Sequence, residues 1–242
     1  MVARVVGRIP VFECLRAKKR GAIRLFTLHG AKGLGHIRDE ASGIPVEACD
    51  RRKLDTLACG AVHQGVVLEA EPLPVSRADE WAAGPFPADG LVVVLDGVED
   101  PHNFGAIVRS AVACGACAVV FGKDRAAPIS PTSVKSAAGA MEYVDLVRAT
   151  NLVRTLQLLR TSGFWLAALD AAAPQALWDA DLRGRVGLVV GSEGGGIRRL
   201  VREQCDFELR IPLVGPIESL NASVSAAIAL AECMRQRVKK RP

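Results

Sequence analysis

Three short segments carry polar residues where α/β proteins do chemistry, each between an apolar strand pattern and a helical one. The first runs from Asp96 to Gly105 and contains Asn103, with Arg109 six residues further on. Asn103 falls where a helix N-cap would stand. Arg109 lies nearly two turns along, and is expected on the same side of that helix. Two readings stay open here, a cap with a surface arginine or a pair of site residues. The second segment is Gly191-Ser192-Glu193-Gly194-Gly195-Gly196. Its glycines let backbone N–H groups approach a ligand closely, and Glu193 places one carboxylate in the middle. That sign repels a phosphate and suits an amine-bearing or cationic ligand, which favours S-adenosylmethionine over NAD. The third segment, Ile211 to Asn221, ends in Ser219-Leu220-Asn221 at the start of an Ala-rich helical pattern. Ser219 and Asn221 there either cap the helix or point polar groups into a site at its N-terminus.

Several other chemistries lack their residues. No Gly-Lys-Ser/Thr is present for a P-loop, and G-x-G-x-x-G with its distant acid is not matched cleanly. The four histidines, His29, His36, His63 and His102, show no metal-binding spacing. No Gly-x-Ser-x-Gly elbow is evident. Cys114 and Cys117 form a C-x-x-C at the end of a predicted helix. A redox thiolate needs a helix N-terminus, and zinc needs a second pair. Structural cysteine is therefore the reading, and no metal is expected.

The elements that must position these loops alternate along the chain. Residues 1–72 read as a small α/β unit, with helices over Pro10–Arg16, Leu34–Ala41 and Arg51–Ala58 and strands over Ile23–Leu28, Val46–Ala48 and Val66–Ala70. Residues 73–89 hold Pro74, Pro85 and Pro87 and little periodicity, which predicts a linker with one helical turn. From 90 to 242 the alternation resumes. Leu91–Leu95 and Val186–Val190 are continuous apolar runs, as expected for strands buried on both faces. Further strands are predicted over Ala118–Phe121, Val144–Val147, Phe164–Ala168 and Phe207–Ile211. Helices are predicted over Phe104–Ala113, Ser133–Ala140, Leu152–Arg160, Ile197–Glu203 and Ala222–Val238. This is the pattern of a parallel-sheet α/β domain.

Half of the 242 residues are hydrophobic and 24% are charged, an ordinary globular balance. No apolar run approaches the roughly 18–20 residues of a membrane span. The N-terminus lacks a secretory apolar core, and the expected location is the cytoplasm. Seven scattered cysteines follow no disulfide rhythm. The net charge of +5 suits a polyanionic partner without establishing one. Its cations cluster at Arg16–Arg20, Arg51–Lys53 and Arg235–Arg241, each either a solvated face or an RNA contact. With one Tyr and seven Phe, no aromatic stacking platform of the RRM kind is expected.

Taken together, the three segments resemble the three motifs of the SpoU (TrmH) family of RNA ribose 2′-O-methyltransferases. Asn103 with Arg109 is similar to the first, Gly191-Ser192-Glu193-Gly194 to the second, and Ile211-Pro212 with Ser219-Leu220-Asn221-Ala222-Ser223 to the third. Ser136 to Ala140 resembles a further family segment. Val6-Gly7-Arg8 and His63-Gln64-Gly65-Val66 resemble the family's small RNA-binding domain, so the likeness covers almost the whole chain. Departures are small: Ala222 stands where many relatives have valine, and Gly195 extends the glycine run. The two-part layout is most similar to members that methylate a guanosine ribose in 23S rRNA.

The resemblance implies an α/β fold with a C-terminal trefoil-knot (SPOUT) methyltransferase domain over 90–242. It also implies a small N-terminal α/β RNA-binding domain over 1–72 and a homodimer with its sites at the interface. Its cofactor is S-adenosylmethionine, with Gly191, Ile211 and Leu220 as cofactor contacts and Asn103, Arg109, Glu193, Ser219 and Asn221 as the catalytic set. A neutral ribose hydroxyl is a poor nucleophile and must be oriented and relieved of its proton. Arginine, with a pKa above about 12, is an awkward base, so Arg109 is expected to hold a phosphate and stabilise developing oxyanion charge. Ser219 and Asn221 would position the hydroxyl and the methionine part of the cofactor, and Glu193 would organise the interface or the cofactor amine. Rival readings are a tRNA 2′-O-methyltransferase or an rRNA resistance enzyme of the same family, an NAD-dependent oxidoreductase, and a non-catalytic RNA-binding protein on the same fold.

Overall fold

The computed structural model describes residues 2–124, 126–127 and 129–238, so Lys239, Lys240 and Arg241 of the C-terminal basic cluster lie outside the described residues. Two sheets organise the chain. The smaller takes β1 (Ala3–Val6), β2 (Ala22–Leu28), β3 (Val46–Cys49) and β4 (Val66–Ala70) in the order β1-β4-β2-β3. Only β2 and β3 run parallel. Period-two alternation divides its side chains between two faces. Val66 and Leu68 pack with Val11, Cys14 and Leu15 of α1 (Arg8–Ala17) and Ile37 of α2 (Gly35–Glu40). Val67 and Phe26 face Leu54 and Leu57 of α3 (Arg51–Ala58). Asp50 caps α3 by accepting from the Lys53 backbone N–H at 2.8 Å. Strand β1 has no counterpart among the expected strands: Ala3-Arg4-Val5-Val6 lacks a clean alternation, and only Val5 is fully buried.

The larger sheet has eight strands, every paired neighbour parallel. These are β5 (Val75–Arg77), β6 (Leu91–Asp96), β7 (Ala118–Gly122), β8 (Asp145–Ala149), β9 (Trp165–Leu169), β10 (Gln175–Ala176), β11 (Val186–Gly191) and β12 (Phe207–Arg210). Their spatial order is β10-β12-β9-β11-β6-β7-β8-β5. Strands β6 and β7 are buried along their whole length. One face of the sheet packs on α5 (Pro101–Ala113), α6 (Pro131–Ala137) and α9 (Ala222–Val238), through Val93, Leu95 and Leu188 against Phe104, Ile107 and Leu230. The other packs on α4 (Ala78–Trp81), α7 (Leu152–Thr161) and α8 (Arg199–Arg202), through Val92, Val94 and Val189 against Leu156, Leu159 and Val201. Each such side chain contributes about 1.5–3 kcal/mol by leaving water.

Two local expectations change. Residues 73–89, read as a linker with one helical turn, supply the turn (α4) but also β5, which pairs with β8 at the sheet edge. Three residues give no readable period, and the prolines around them mask the strand. Helix α5 begins at Pro101, not Phe104, and its N-cap is Asp100, whose side chain accepts from the His102 N–H at 3.0 Å. Asp-Pro is a cap followed by a preorganised first helical residue. Of the two readings open for Asn103, the cap falls to Asp100, and Asn103 sits in the first turn.

The two units meet through side chains. Arg20 Nη2 lies 2.6 Å from Glu142 Oε1, both side chains only 4% exposed. The Tyr143 hydroxyl donates to Glu13 Oε2 at 2.6 Å, and Lys19 donates to the Val144 carbonyl. A Cβ at Gly139 would lie 2.5 Å from the Glu13 Cβ, so glycine lets the two backbones close up there.

Candidate functional site

Parallel pairing brings the loops after β6, β9, β11 and β12 out at one edge: Gly191 stands beside Asp96, and Leu169 beside Leu209. The glycine loop after β11 closes on itself, with Ser192 and Gly196 exchanging backbone hydrogen bonds at 3.1 and 3.0 Å. A Cβ on Gly191 would fall 2.2 Å from the Gly196 carbonyl carbon and 2.5 Å from the Ile197 nitrogen. Glycine at 191 is thus demanded by a backbone crossing. The loop exit is tied down by Asp96, a buried carboxylate at the end of β6. It accepts from the Arg198 backbone N–H at 2.8 Å and from its guanidinium Nε at 2.7 Å.

Glu193 projects from this loop into a polar cluster built by three separate segments. Its Oε1 accepts from Asn103 Nδ2 at 2.8 Å and also from Asn221 Nδ2. Asn221 Nδ2 donates as well to Asn103 Oδ1 at 3.1 Å. The Asn221 amide orientation is fixed, because its Oδ1 accepts from the backbone N–H groups of Ser223 at 2.8 Å and Val224 at 3.3 Å. Asn221 therefore caps α9 and holds Glu193 with the same side chain. The carboxylate sits by the N-terminal ends of α5 and α9, where helix dipoles favour negative charge.

Two cavities meet at Glu193. One, of about 220 Å³, is walled by Leu169, Val190, Leu209, Ile211 and Leu220, with Gly191, Ser219 and Asp170 among its other lining residues. The other, of about 430 Å³, is lined by Asn103, Asp96, Glu99, Asp100 and the glycine loop. Gly191, Ile211, Leu220, Ser219 and Glu193 are thus brought to one cleft, and Asn103 and Asn221 bind its rim residue. Arg109 is not brought there. It is exposed on α5 and has no ion-pair or hydrogen-bond partner among the described residues. Six residues of helix rotate a side chain by about 240°, so the expectation that Arg109 shares the side of Asn103 fails on helix geometry.

Asp96, Asp170 and Arg198 carry no local signal of a site role in the sequence. The Asp96–Arg198 pair is 102 residues apart in the chain, and Asp170 lies in a segment without glycine or motif spacing. Asp170 is held by Arg202, on α8. The C-x-x-C thiols are half-buried, and burial pushes both above the usual thiol range, the reverse of a redox thiolate. Among the described residues no group of three His, Cys, Asp or Glu is arranged to hold a metal ion. No helix among them is long and apolar enough to cross a membrane.

This arrangement can be set beside known proteins. The SpoU rRNA Methylase family matches residues 90–231, and the family described as RNA 2′-O ribose methyltransferase substrate binding matches residues 4–76. The 23S rRNA (guanosine-2′-O-)-methyltransferase RlmB of Pseudomonas putida is 43% identical over 200 residues, covering 82% of this chain and 80% of that one. The protein of the same name from Escherichia coli K12 is 41% identical over 208 residues, covering 82% of each. Among solved structures, the SpoU methyltransferase AviRb from Streptomyces viridochromogenes in complex with AdoMet superposes with a TM-score of 0.81. It is 25% identical and the alignment covers 99% of this chain and 92% of that one. With more than half its length matched and two long relatives above 40% identity, the chain belongs to the SpoU rRNA methylase family.

Proposed function

We propose that this protein transfers a methyl group from S-adenosylmethionine to the ribose 2′-hydroxyl of a guanosine in 23S rRNA. The observation that carries the reading is the meeting of Gly191, Ile211, Leu220, Ser219 and Glu193 in one cleft, in a chain whose relatives bear that activity by name. The cleft suits the cofactor. Its apolar walls match a purine, the crowded backbone around Gly191 offers polar atoms without a side chain in the way, and Glu193 supplies a carboxylate for an ammonium. The residues that would hold the cofactor are those of this cleft, with Leu169, Val190, Leu209, Ile211 and Leu220 as its apolar wall and Glu193 as its carboxylate.

When bound, the cofactor supplies an electrophilic methyl on a sulfonium. The chain's own residues must deliver the ribose oxygen in line with it. Ser219, on the cleft wall, and Asn221 orient the hydroxyl and the cofactor's methionine part. Asn103 holds Glu193 in place. Arg109 clamps the adjacent phosphate bidentately and stabilises charge developing on the oxygen. Because Arg109 faces away from its own chain's cluster, this role requires a homodimer in which one protomer's Arg109 reaches its partner's site. The exposed apolar residues Val214 and Ile217 beside the cleft support such a covering surface.

The same reading assigns residues 1–72 to RNA binding, 73–89 to the connection and 90–242 to methyl transfer, in the cytoplasm where rRNA is made. It also assigns a trefoil knot. In support, the chain leaves β12, two strands beyond β11, and returns past the 192–196 loop to lay α9 against α5. The test is methyl transfer from labelled S-adenosylmethionine to transcribed 23S rRNA, with tRNA as the alternative acceptor, followed by mapping of 2′-O-methyl groups. One modified guanosine in 23S rRNA is expected. Modification of tRNA alone, or none, overturns the assignment.

A further inference from the structure

A third cavity, of about 800 Å³, lies away from Glu193 between the two sheets and is lined by residues of both matched segments. Its chemistry differs from that of the other two. The cofactor cleft contains Asp170 and Glu193, and its neighbour contains Asp96, Glu99 and Asp100, so neither suits an RNA phosphate. The interunit cavity has no acidic residue in its lining and four cationic ones. Two of these are engaged: Arg20 with Glu142, and Arg4 with Glu69. The other two, Lys135 and Arg148, are exposed and have no acidic partner among the described residues; the Arg148 guanidinium lies over the Phe121 ring, 5.9 Å from its centroid, which leaves its charge without a counter-ion.

The walls are apolar and open. Ile9 is 59% exposed and Val62 is 66% exposed, an unusual state for large aliphatic side chains facing a cavity. Gln64 stands beside Val62 with a left-handed backbone at φ +53°, a conformation costly for a non-glycine residue unless its surroundings impose it. A turn closed by the Val66 N–H on the His63 carbonyl at 3.0 Å holds it, and Arg8 reinforces it. The Arg8 backbone N–H donates to Gln64 Oε1 and its guanidinium Nε donates to the Gln64 carbonyl, both at 3.1 Å. With Oε1 committed as acceptor, the Gln64 amide presents its two N–H donors. Donors of that kind match the acceptor edge of a nucleobase.

We propose that this cavity takes an unpaired nucleotide of the RNA substrate, its base against Ile9 and Val62 beside the Gln64 amide and its phosphates on Lys135 and Arg148. The inference rests on the methyltransferase reading for the identity of the RNA, and adds a contact site distant from the methylated ribose. No aromatic residue lines the cavity among the described residues, so aliphatic walls and an amide stand in place of stacking.

Full-length protein carrying benzoylphenylalanine in place of Val62 tests it, irradiated with transcribed 23S rRNA, with the same label in place of the exposed Leu200 as control. An RNA adduct at position 62, displaced by unlabelled transcript and absent at 200, is expected. No adduct, or an adduct only to a second protein chain, overturns the proposal. The double variant Lys135→Gln/Arg148→Gln should lose about tenfold in RNA affinity. Its slope of log K against log salt should be shallower by about 1.4, at roughly 0.7 per single-strand phosphate contact. Unchanged affinity and slope also overturn it. S-adenosylhomocysteine affinity within twofold of the parent shows that these variants fold, and a variant that loses it leaves the cross-link to decide. An RNA adduct at position 62 of the labelled protein, with no methyl transfer by the parent, sinks the functional reading alone. Methylation of 23S rRNA by the parent without a position 62 adduct in the labelled protein sinks the interunit cavity alone.

Discussion

Gly191 and Gly194 occupy the same loop under opposite constraints. A methyl at 191 collides with the Gly196 carbonyl, whereas one at 194 meets nothing within 4 Å. Gly191→Ala must therefore shift the loop that carries Glu193, and displacements near 1 Å in such sites cost about a hundredfold in rate. Calorimetry should show S-adenosylhomocysteine binding weakened tenfold or more by Gly191→Ala and changed less than about threefold by Gly194→Ala. Equal effects would mean that the crossing at 191 does not shape the cleft. Arg109 calls for a different measurement. It has no partner to lose among the described residues, so Arg109→Lys should change folding stability by no more than about 0.5 kcal/mol. Lysine keeps the charge but lacks the planar fork. Turnover is expected to fall at least tenfold while RNA affinity stays near the parent value. Undiminished turnover would remove the bidentate phosphate clamp.

At the scale of elements, burial decided what could be read in advance. Strands β6 and β11 are seen at once because runs such as Leu91–Leu95 have no solvent face to interrupt them. Helix α9 is equally plain, since Asn221 does cap it. Strands β5 and β10 are too short for a period, β1 has a single fully buried residue and no clean alternation, and the start of α5 is marked by Asp100-Pro101 and not by the first apolar residue. The candidate site divides in the same way. Its loops are visible as strand-to-helix junctions, and the roles given to Ser219 and Asn221 come from the family resemblance. Contacts across the chain are not local properties, and Asp96 shows the consequence. Its carboxylate binds the glycine loop's exit to β6 through Arg198. Asp96→Ala leaves the Arg198 N–H without its acceptor, a cost of about 1–3 kcal/mol. The melting temperature should fall accordingly, and the further rise on adding S-adenosylhomocysteine should shrink, because a loosened loop binds ligand less well. A fall in melting temperature with a full ligand-induced rise would confine Asp96 to stability and separate it from the cleft.

Across the whole molecule, the two units are joined by few contacts, and one dominates by its burial. Arg20 and Glu142 are almost fully enclosed, and Arg20 Nε and Glu142 Oε2 have no hydrogen-bond partner among the described residues. Nearby Cys14 responds to the same enclosure: burial, with the negative Glu142 beside it, pushes its thiol up to about 11. A pair of this kind gains little over two apolar residues, but it is costly to break from one side, because the remaining charge stays buried and uncompensated. Arg20→Met alone should therefore destabilise the protein by about 3–5 kcal/mol in urea denaturation, and Arg20→Met/Glu142→Met should recover most of the loss. The variants also separate stability from geometry. If the pair fixes how the small unit sits on the larger sheet, the double variant will be stable yet more open to proteolysis within 73–89, and its RNA affinity will fall. Its S-adenosylhomocysteine affinity will not change, because the cofactor cleft draws no residue from the small unit. A double variant with parent-like proteolysis and RNA affinity would show that apolar contact alone sets the arrangement of the two units.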